Sequence, residues 1–275
     1  MNDQIDRRGE GEQVIDQALL DQVAAIAEEA GQAIMAIYAQ DFSVEEKADK
    51  SPLTEADQAA HDLISAGLAP LLGGVPILSE EDTEGFSGAD AAGRYWLVDP
   101  LDGTKEFIKK NGEFTVNIAL IESGRPRLGV VHAPDLGRTY VGWPGEGAWR
   151  IDADGRYPIT VVNDHAGPWR VVGSRSHASP KMADWLAELG EHEMVPMGSS
   201  LKLCLVAEGA ADVYPRLGPT SLWDTGAAQA VVEAAGGHVI DAHGNPLDYA
   251  HTDQVLNPHF LAYGRRVTTW PTIAD

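Results

Sequence analysis

The spacing of apolar residues changes twice along the chain, and the order of these changes limits the folds it can adopt. Residues 19–39 place apolar side chains on one helix face, and a second helix is expected to begin with Thr54 as N-cap and to end at the glycine pair 73–74. Short apolar runs separated by Gly and Pro fill residues 114–151, as in an antiparallel meander. From residue 169 onward, strands alternate with helices. This order predicts an α/β protein with an α+β first half and an α/β second half.

We expect three segments. Residues 1–16 are polar and charged without periodicity, which predicts a flexible N-terminal tail. Residues 17–163 are expected to form an α+β subdomain that carries most of the acidic motifs, and residues 164–275 an α/β subdomain that completes the site. Because no linker-like stretch separates them, the two subdomains should pack tightly against each other.

Composition excludes several classes of partner. The 275 residues carry a formal net charge of -22, whereas nucleic-acid polymers and anionic membranes are bound by basic patches. The chain lacks a run of about 18 apolar residues and an N-terminal signal peptide, so no transmembrane segment is expected. A cytoplasmic location is therefore predicted, with peripheral contact to the cytoplasmic face of the inner membrane as the alternative. Cys204 lies in an apolar helical run, which favours a structural role.

The stretch WLVDPLDGTKEF, residues 96–107, ends an apolar strand with two aspartates. Pro100 cannot donate to a sheet ladder, so the strand is expected to stop at Asp99. Gly103 allows unusual backbone angles, and the turn can then direct the carboxylates of Asp99 and Asp102, with the Leu101 carbonyl between them, toward one point. Two anions about 4 Å apart repel by several kcal/mol, so a cation or a proton must accompany them.

The candidate ligands are all oxygens, which favours Mg²⁺ or Mn²⁺ over zinc. Behind the acids, Gly103 and Thr104 can open a short helix whose free N–H groups suit an anion such as phosphate. The structural alternative for this stretch is an Asx-type turn with a helix cap.

Three further acidic motifs occur. Glu80 lies in SEED after an apolar run, Asp224 opens an apolar helix after Trp223, and Asp57 lies in the first turn of the second predicted helix. Each taken alone is also explained as a loop or a helix N-terminus.

Taken together, the motifs K-x-D-x-S-P-x-T-x-A-D at 47–57, S-E-E-D at 79–82, D-P-L-D-G-T at 99–104 and W-D at 223–224 resemble the inositol monophosphatase superfamily of magnesium-dependent, lithium-sensitive phosphatases. The resemblance covers roughly residues 19–262 and implies a layered αβαβα sugar-phosphatase-like fold. Within the superfamily, DPLDGTKEFIKKNGEFTVNIALIESG and GSSLKLCLVAEGAADVYPRLGPTSLWDT are similar to the bacterial phosphatases that act on 3'(2'),5'-bisphosphate nucleotides.

The resemblance also implies roles for individual residues. Two or three Mg²⁺ ions would be held by Glu80, Asp99, the Leu101 carbonyl, Asp102 and Asp224. Mn²⁺ would replace Mg²⁺, and Li⁺ and Ca²⁺ would inhibit the enzyme. Asp57 and Thr104 would orient and deprotonate the attacking water. Substrate would be contacted by Glu80, Leu101, Asp102, Gly103, Thr104, His177, Ser199, Lys202, Arg216 and Asp224. Gly226 departs from the family pattern, which has a small Ala or Cys at that position, and this puts the packing of its helix in question.

The implied reaction removes the 3'-phosphate from adenosine 3',5'-bisphosphate, and from its sulfated relative, in sulfur metabolism. The alternative within the family is an inositol or sugar phosphatase, and outside it a non-catalytic metal or nucleotide sensor. Lys202 and Arg216 separate the first two, because a compact substrate with one phosphate needs no distant cations. From spacing alone both residues read as solvated surface, and only the resemblance favours a substrate role for them.

Overall fold

A computed structural model of the chain describes residues 15–40, 52–162, 167–173, 179–264 and 270–273. The tail predicted at residues 1–16 lies almost wholly outside the described residues, as do His177 and residues 47–51 of the first acidic motif. None of the described helices is long and apolar enough to cross a membrane.

The described residues form six α-helices and twelve β-strands. The helices are α1 (Gln17–Tyr38), α2 (Pro52–Leu68), α3 (Thr104–Ile108), α4 (Pro180–Leu189), α5 (Leu201–Ala207) and α6 (Leu222–Ala234). The strands are β1 (Ile77–Ser79), β2 (Arg94–Asp102), β3 (Thr115–Glu122), β4 (Arg125–Ala133), β5 (Arg138–Trp143), β6 (Gly147–Asp152), β7 (Gly155–Pro158), β8 (Trp169–Gly173), β9 (His192–Pro196), β10 (Val213–Arg216), β11 (His238–Asp241) and β12 (Phe260–Tyr263).

The strands make two sheets. The first has seven strands in the order β1 to β7, and only its β1–β2 pair is parallel. The second has five strands in the order β11-β12-β10-β8-β9, with β8 parallel to both β9 and β10. The predicted meander and the alternation of strands and helices that follows it are confirmed. The division between residues 163 and 164 stays a prediction.

Helices and sheets stack in five layers. Alternate residues of β3 show this, because Ile118 packs in the apolar cluster with α1 and α2, whereas Ala119 packs in the cluster with α5 and α6. That second cluster also holds residues of β10 and β12, so α5 and α6 lie between the sheets. On the far side of the second sheet, Trp185 of α4 packs with Val171 and Val213. The αβαβα layering implied by the family resemblance is therefore confirmed.

Helix α2 differs from its predicted bounds. It begins at Pro52, two residues before the predicted N-cap Thr54. Proline is tolerated in the first turn of a helix, because the N–H it lacks has no intrahelical partner there. The helix ends at Leu68, and a separate 3₁₀ turn, Leu71–Gly73, leads into the glycine pair. The expected helix end at Gly73 and Gly74 was therefore too late.

Strand β2 does not stop at Asp99, as Pro100 suggested. It continues to Asp102, with the register against β3 shifted between Asp99 and Asp102. Pro100 and Leu101 lie in this irregularity and are not matched to residues of β3, so the missing N–H of Pro100 costs no ladder bond. The acids are therefore carried by a bulge within a strand and not by the tight turn after the strand that we expected.

Gly226 of α6 has a packing reason. A Cβ at this position would lie 2.8 Å from Leu97 Cδ2 and 3.5 Å from Tyr249 Cε1. Leu97 belongs to β2 and is buried. The missing side chain thus lets α6 approach the strand that carries Asp99. Close packing of this helix against β2 therefore explains the departure from the family pattern.

Candidate active site

The bulge in β2 presents Asp99 and Asp102 at the end of the strand. Asp99 is only 1% exposed, and the Leu101 N–H donates to its Oδ1 atom over 3.1 Å. This bond makes the Asx-type turn that was the structural alternative for the motif. Because that bond uses one oxygen of the carboxylate, the other remains free for a ligand. Asp99 can therefore form the Asx-type turn and bind a ligand at the same time.

Asp224 reaches the same point from α6. It is the third residue of the helix, and its Oδ2 atom accepts a hydrogen bond of 2.9 Å from the N–H of the N-cap residue Ser221. One oxygen each from Asp99, Asp102 and Asp224 lie within 4.8 Å of one another. Asp224 can cap α6 and join the cluster at the same time, since the hydrogen bond from Ser221 holds one carboxylate oxygen and orients the second.

Glu80 and Asp57 complete the group of acids. The backbone N–H of Glu80 donates to the Val98 carbonyl over 3.1 Å, which places Glu80 beside the end of β2. Burial, followed by the charges of Glu81 and Asp102, raises the pKa of its carboxyl group. Asp57 lies half-buried on α2 and is repelled by the negative charges of Glu81 and Glu80.

The acids raise one another's pKa values. Burial, followed by the charges of Asp102 and Glu80, raises the pKa of Asp99 well above its usual range. Burial and the charge of Glu81 raise the pKa of Asp57 to about 8. For Asp224, burial and the charge of Asp102 raise the pKa to about 7. Such shifts mean that the folded chain holds these carboxylates together without sufficient positive charge.

The residues present fit a hard divalent cation. Within the described ranges, no Lys, Arg or His forms a salt bridge with Asp57, Glu80, Asp99, Asp102 or Asp224. The three clustered donors, from Asp99, Asp102 and Asp224, are carboxylate oxygens, and this group contains no His or Cys ligand of a zinc site. The unbalanced charge and the oxygen-only donors together indicate a site for a cation such as Mg²⁺.

Gly103 turns the chain from the bulge into α3. Its φ of 101° lies in the left-handed region, and a Cβ would lie 3.1 Å from both Glu113 O and Phe114 Cα. Only glycine adopts this φ without strain and has no Cβ to crowd those two atoms. Thr104 then begins α3 with an exposed side chain, and in the described part of the chain no hydrogen bond joins it to Asp57. Helices α2 and α3 contact each other, so the two residues lie on neighbouring elements.

A pocket adjoins the acids on the side of the second sheet. Its lining includes Asp102 and Asp224 together with Ser199, Lys202 and Arg216, three of the predicted substrate contacts. Lys202 is 9% exposed, and its Nζ atom lies 5.8 Å from the centre of the Tyr214 ring. Arg216 is held by a 2.7 Å hydrogen bond from Nη2 to the Pro219 carbonyl. The interpretation of Lys202 as a solvated helix residue is therefore wrong, and Arg216 is half-buried in the lining of the pocket.

Sequence reasoning missed four residues of this region. Glu81 contributes to the field at Asp57, Tyr214 lies beneath Lys202, and Ser200 and Asn117 hydrogen-bond behind Asp102. Asn117 had a signal, because it is a polar residue inside the apolar strand β3. Ser200 was passed over for its neighbour Ser199.

Comparisons with known proteins agree with this geometry. The inositol monophosphatase family matches residues 16–269, and the chain belongs to that family. Its curated relatives include the 3'(2'),5'-bisphosphate nucleotidase CysQ of Escherichia coli (strain K12), 53% identical over 244 residues that cover 88% of this chain and 98% of the relative.

Solved structures are also similar. CysQ from Bacteroides thetaiotaomicron superposes with a TM-score of 0.81 at 38% identity, covering 92% of this chain and 99% of the other. An inositol monophosphatase from Anabaena superposes with a TM-score of 0.72 at 27% identity, covering 90% and 92%.

Proposed function

We propose that this chain is a Mg²⁺-dependent 3'(2'),5'-bisphosphate nucleotidase that hydrolyses adenosine 3',5'-bisphosphate to AMP and phosphate. Its sulfated relative is the second expected substrate. The observation that carries the proposal is the contact between two unlike regions: an oxygen-only acidic cluster and a pocket that contains Lys202 and Arg216. Support comes from relatives named bisphosphate nucleotidases at 53% identity.

The proposed metal ligands are the Glu80, Asp99, Asp102 and Asp224 carboxylates and the Leu101 carbonyl. Mg²⁺ bound there, as two or three ions, would supply positive charge for the phosphoryl oxygens and lower the pKa of water. Mn²⁺ is expected to replace Mg²⁺, and Ca²⁺ and Li⁺ to inhibit. Asp99 is the central ligand of this proposal, since it is the most buried of the four acids and lies beside Glu80, Asp102 and Asp224.

Asp57 and Thr104 are proposed to orient and deprotonate the attacking water. Asp57 suits a base because its carboxylate lies half-buried on α2 close to Glu80 and Glu81, where it could accept a proton from water. Thr104 lies at the start of α3, next to the bulge. The N–H groups of Gly103 and Thr104, which precede the first intrahelical bonds of α3, would bind the phosphate that is removed.

Lys202 and Arg216 are proposed to bind the second phosphate, on the 5' side of the nucleotide. They line the same pocket as Asp102 and Asp224, so a substrate with one phosphate at the acids could place another against these cations. The Arg216 guanidinium is preorganised by its bond to Pro219 O. Ser199 lines the same pocket, and its backbone φ of 43° is strained for a serine. His177, the remaining proposed contact, lies outside the described residues.

The test compares two substrates that differ by one phosphate, adenosine 3',5'-bisphosphate and adenosine 3'-monophosphate, with and without Mg²⁺. Arg216→Ala and Lys202→Ala should each lower kcat/KM for the bisphosphate by about 10-fold to 100-fold, the range for a lost charged hydrogen bond. The monophosphate should be hydrolysed as before. Arg125→Ala is the matched control, because it removes a cation whose partner is Glu233, away from this pocket.

Inositol monophosphate and fructose bisphosphate complete the substrate panel. A higher kcat/KM for either than for adenosine bisphosphate would replace the proposal by the sugar-phosphatase alternative. Metal binding without phosphate release from any of the four would leave only the sensor hypothesis.

A further inference from the structure

Ser200 is buried where three segments of the site meet. It precedes α5 and is 2% exposed. Its backbone N–H donates to Asp102 Oδ2 over 2.6 Å, and its hydroxyl lies 2.8 Å from the same oxygen. The hydroxyl also lies 2.7 Å from the backbone carbonyl oxygen of Asp224. One serine thus contacts the bulge of β2 and the first turn of α6.

Asn117 determines what the Ser200 hydroxyl can do. Asn117 is 1% exposed, lies opposite Asp99 in the β2–β3 register, and donates from Nδ2 to Ser200 Oγ over 2.9 Å. A hydroxyl has one proton and two acceptor positions. Because Asn117 uses an acceptor position, the single Ser200 proton is directed to Asp102 Oδ2 or to the Asp224 carbonyl.

This geometry assigns different tasks to the two oxygens of Asp102. Oδ2 accepts from the Ser200 N–H and, when the hydroxyl proton points to Asp102, from the hydroxyl as well, so Oδ1 is the oxygen left to face a cation. The carboxylate cannot rotate about its Cβ–Cγ bond without losing the hydrogen bond from the Ser200 N–H. Since Lys202 is two residues further along the same segment, the contact also holds the substrate pocket against the acids.

We propose that Ser200, supported by Asn117, is a positioning residue that fixes Asp102 for metal binding and joins the metal site to the nucleotide pocket. This inference rests on the proposed metal-dependent function. Ser200 does not touch the reacting atoms. It acts by limiting the orientations of a ligand, and residues behind metal ligands typically contribute 10-fold to 100-fold in metal affinity.

The experiment measures Mg²⁺ binding by isothermal titration calorimetry, without substrate, for wild type, Ser200→Ala, Asn117→Ala and the double variant. Ser200→Ala keeps the backbone N–H and loses the hydroxyl, so its Mg²⁺ dissociation constant should rise by about 10-fold or more. Asn117→Ala should show a smaller rise. Because Asn117 acts through the hydroxyl, the double variant should bind no more weakly than Ser200→Ala alone.

Two further variants separate positioning from stability. Ser179→Ala removes the hydroxyl of another helix N-cap, that of α4, and should lower the melting temperature without changing Mg²⁺ affinity. Ser200→Thr retains a hydroxyl and should bind Mg²⁺ more tightly than Ser200→Ala. In turnover, Ser200→Ala should need more Mg²⁺ for half-maximal rate and regain part of its kcat at high Mg²⁺.

The inference is overturned if Ser200→Ala binds Mg²⁺ like wild type, or if the effects of Ser200→Ala and Asn117→Ala add. Should Ser200→Ala fail to fold, unchanged Mg²⁺ affinity in Asn117→Ala overturns it as well. Absence of Mg²⁺ binding by the wild type is a different result, because it refutes the proposed function and is seen before any variant is made.

Discussion

Replacing Asp99 by Asn should make the protein more stable without metal and inactive with it. Asp99, Asp102 and Asp224 each offer an oxygen within 4.8 Å of the others. Two full charges at that separation repel by roughly 3 kcal/mol at an effective dielectric constant of 20. The folded chain avoids part of this cost by keeping protons, as the raised pKa of Asp99 indicates. We therefore expect a gain in the free energy of unfolding of about 1–3 kcal/mol for Asp99→Asn, less than the full repulsion.

Asparagine preserves the shape of the bulge, because its Oδ1 can still accept from the Leu101 N–H. It removes the charge that a cation needs. In EDTA, the melting temperature of the variant should exceed that of wild type by about 2–4 °C for each kcal/mol gained, given the chain length. Wild type at a Mg²⁺ concentration 100-fold above its dissociation constant should gain about 2.7 kcal/mol, and the variant should lose most of this gain.

Thermal melts in EDTA and in Mg²⁺, together with phosphate release, measure these effects. Asp241→Asn is the matched control, since Asp241 also accepts from the N–H two residues later, in a turn outside the acidic cluster. It should change neither the response to Mg²⁺ nor turnover. If Asp99→Asn had normal kcat, or the same Mg²⁺-induced rise in melting temperature as wild type, the reasoning about this cluster would be refuted.

Two other predictions concern pH and packing. Since the folded pKa values of Asp57 and Asp224 are raised to about 8 and about 7, the folded chain binds more protons than the unfolded chain above pH 4, so this contribution to stability decreases from there and is fully lost once the pH passes those values. In EDTA the melting temperature should fall between pH 6.5 and 8.5, and each group should contribute at most about 1.4 kcal/mol per pH unit to the loss of stability. Mg²⁺ should make this fall smaller. A melting temperature that rises with pH would contradict the prediction. This range lies above the window in which the buried His132, with its pKa lowered by burial to about 4, opposes the trend. Gly226→Ala should cost about 1 kcal/mol in urea unfolding, because overpacking against Leu97 exceeds the gain in helix propensity, and turnover should persist; a more stable variant would show that Leu97 can move aside.

Local patterns predicted most of the elements. The apolar spacing of α1, the meander and the apolar helix that carries Asp224 depend on neighbours within a few residues, and these predictions are confirmed, although that last helix begins two residues earlier, at Leu222. The two errors at Thr54 and Asp99 concern proline. The first turn of a helix, at Pro52, and a bulge in a strand, at Pro100, both tolerate the missing N–H of proline.

The sequence by itself determined which acids follow strands or open helices, and that the proposed metal ligands are oxygens. Only the tertiary structure decided which polar neighbours hold those acids in place. Ser199 and Ser200 are equivalent in sequence, yet Ser200 is the one that contacts Asp102, a residue 98 positions earlier, and Asn117, 83 positions earlier. The physical reason is that a hydrogen bond depends on distances of a few tenths of an ångström, and between such remote residues those distances are set by how α5 and α6 pack between the two sheets.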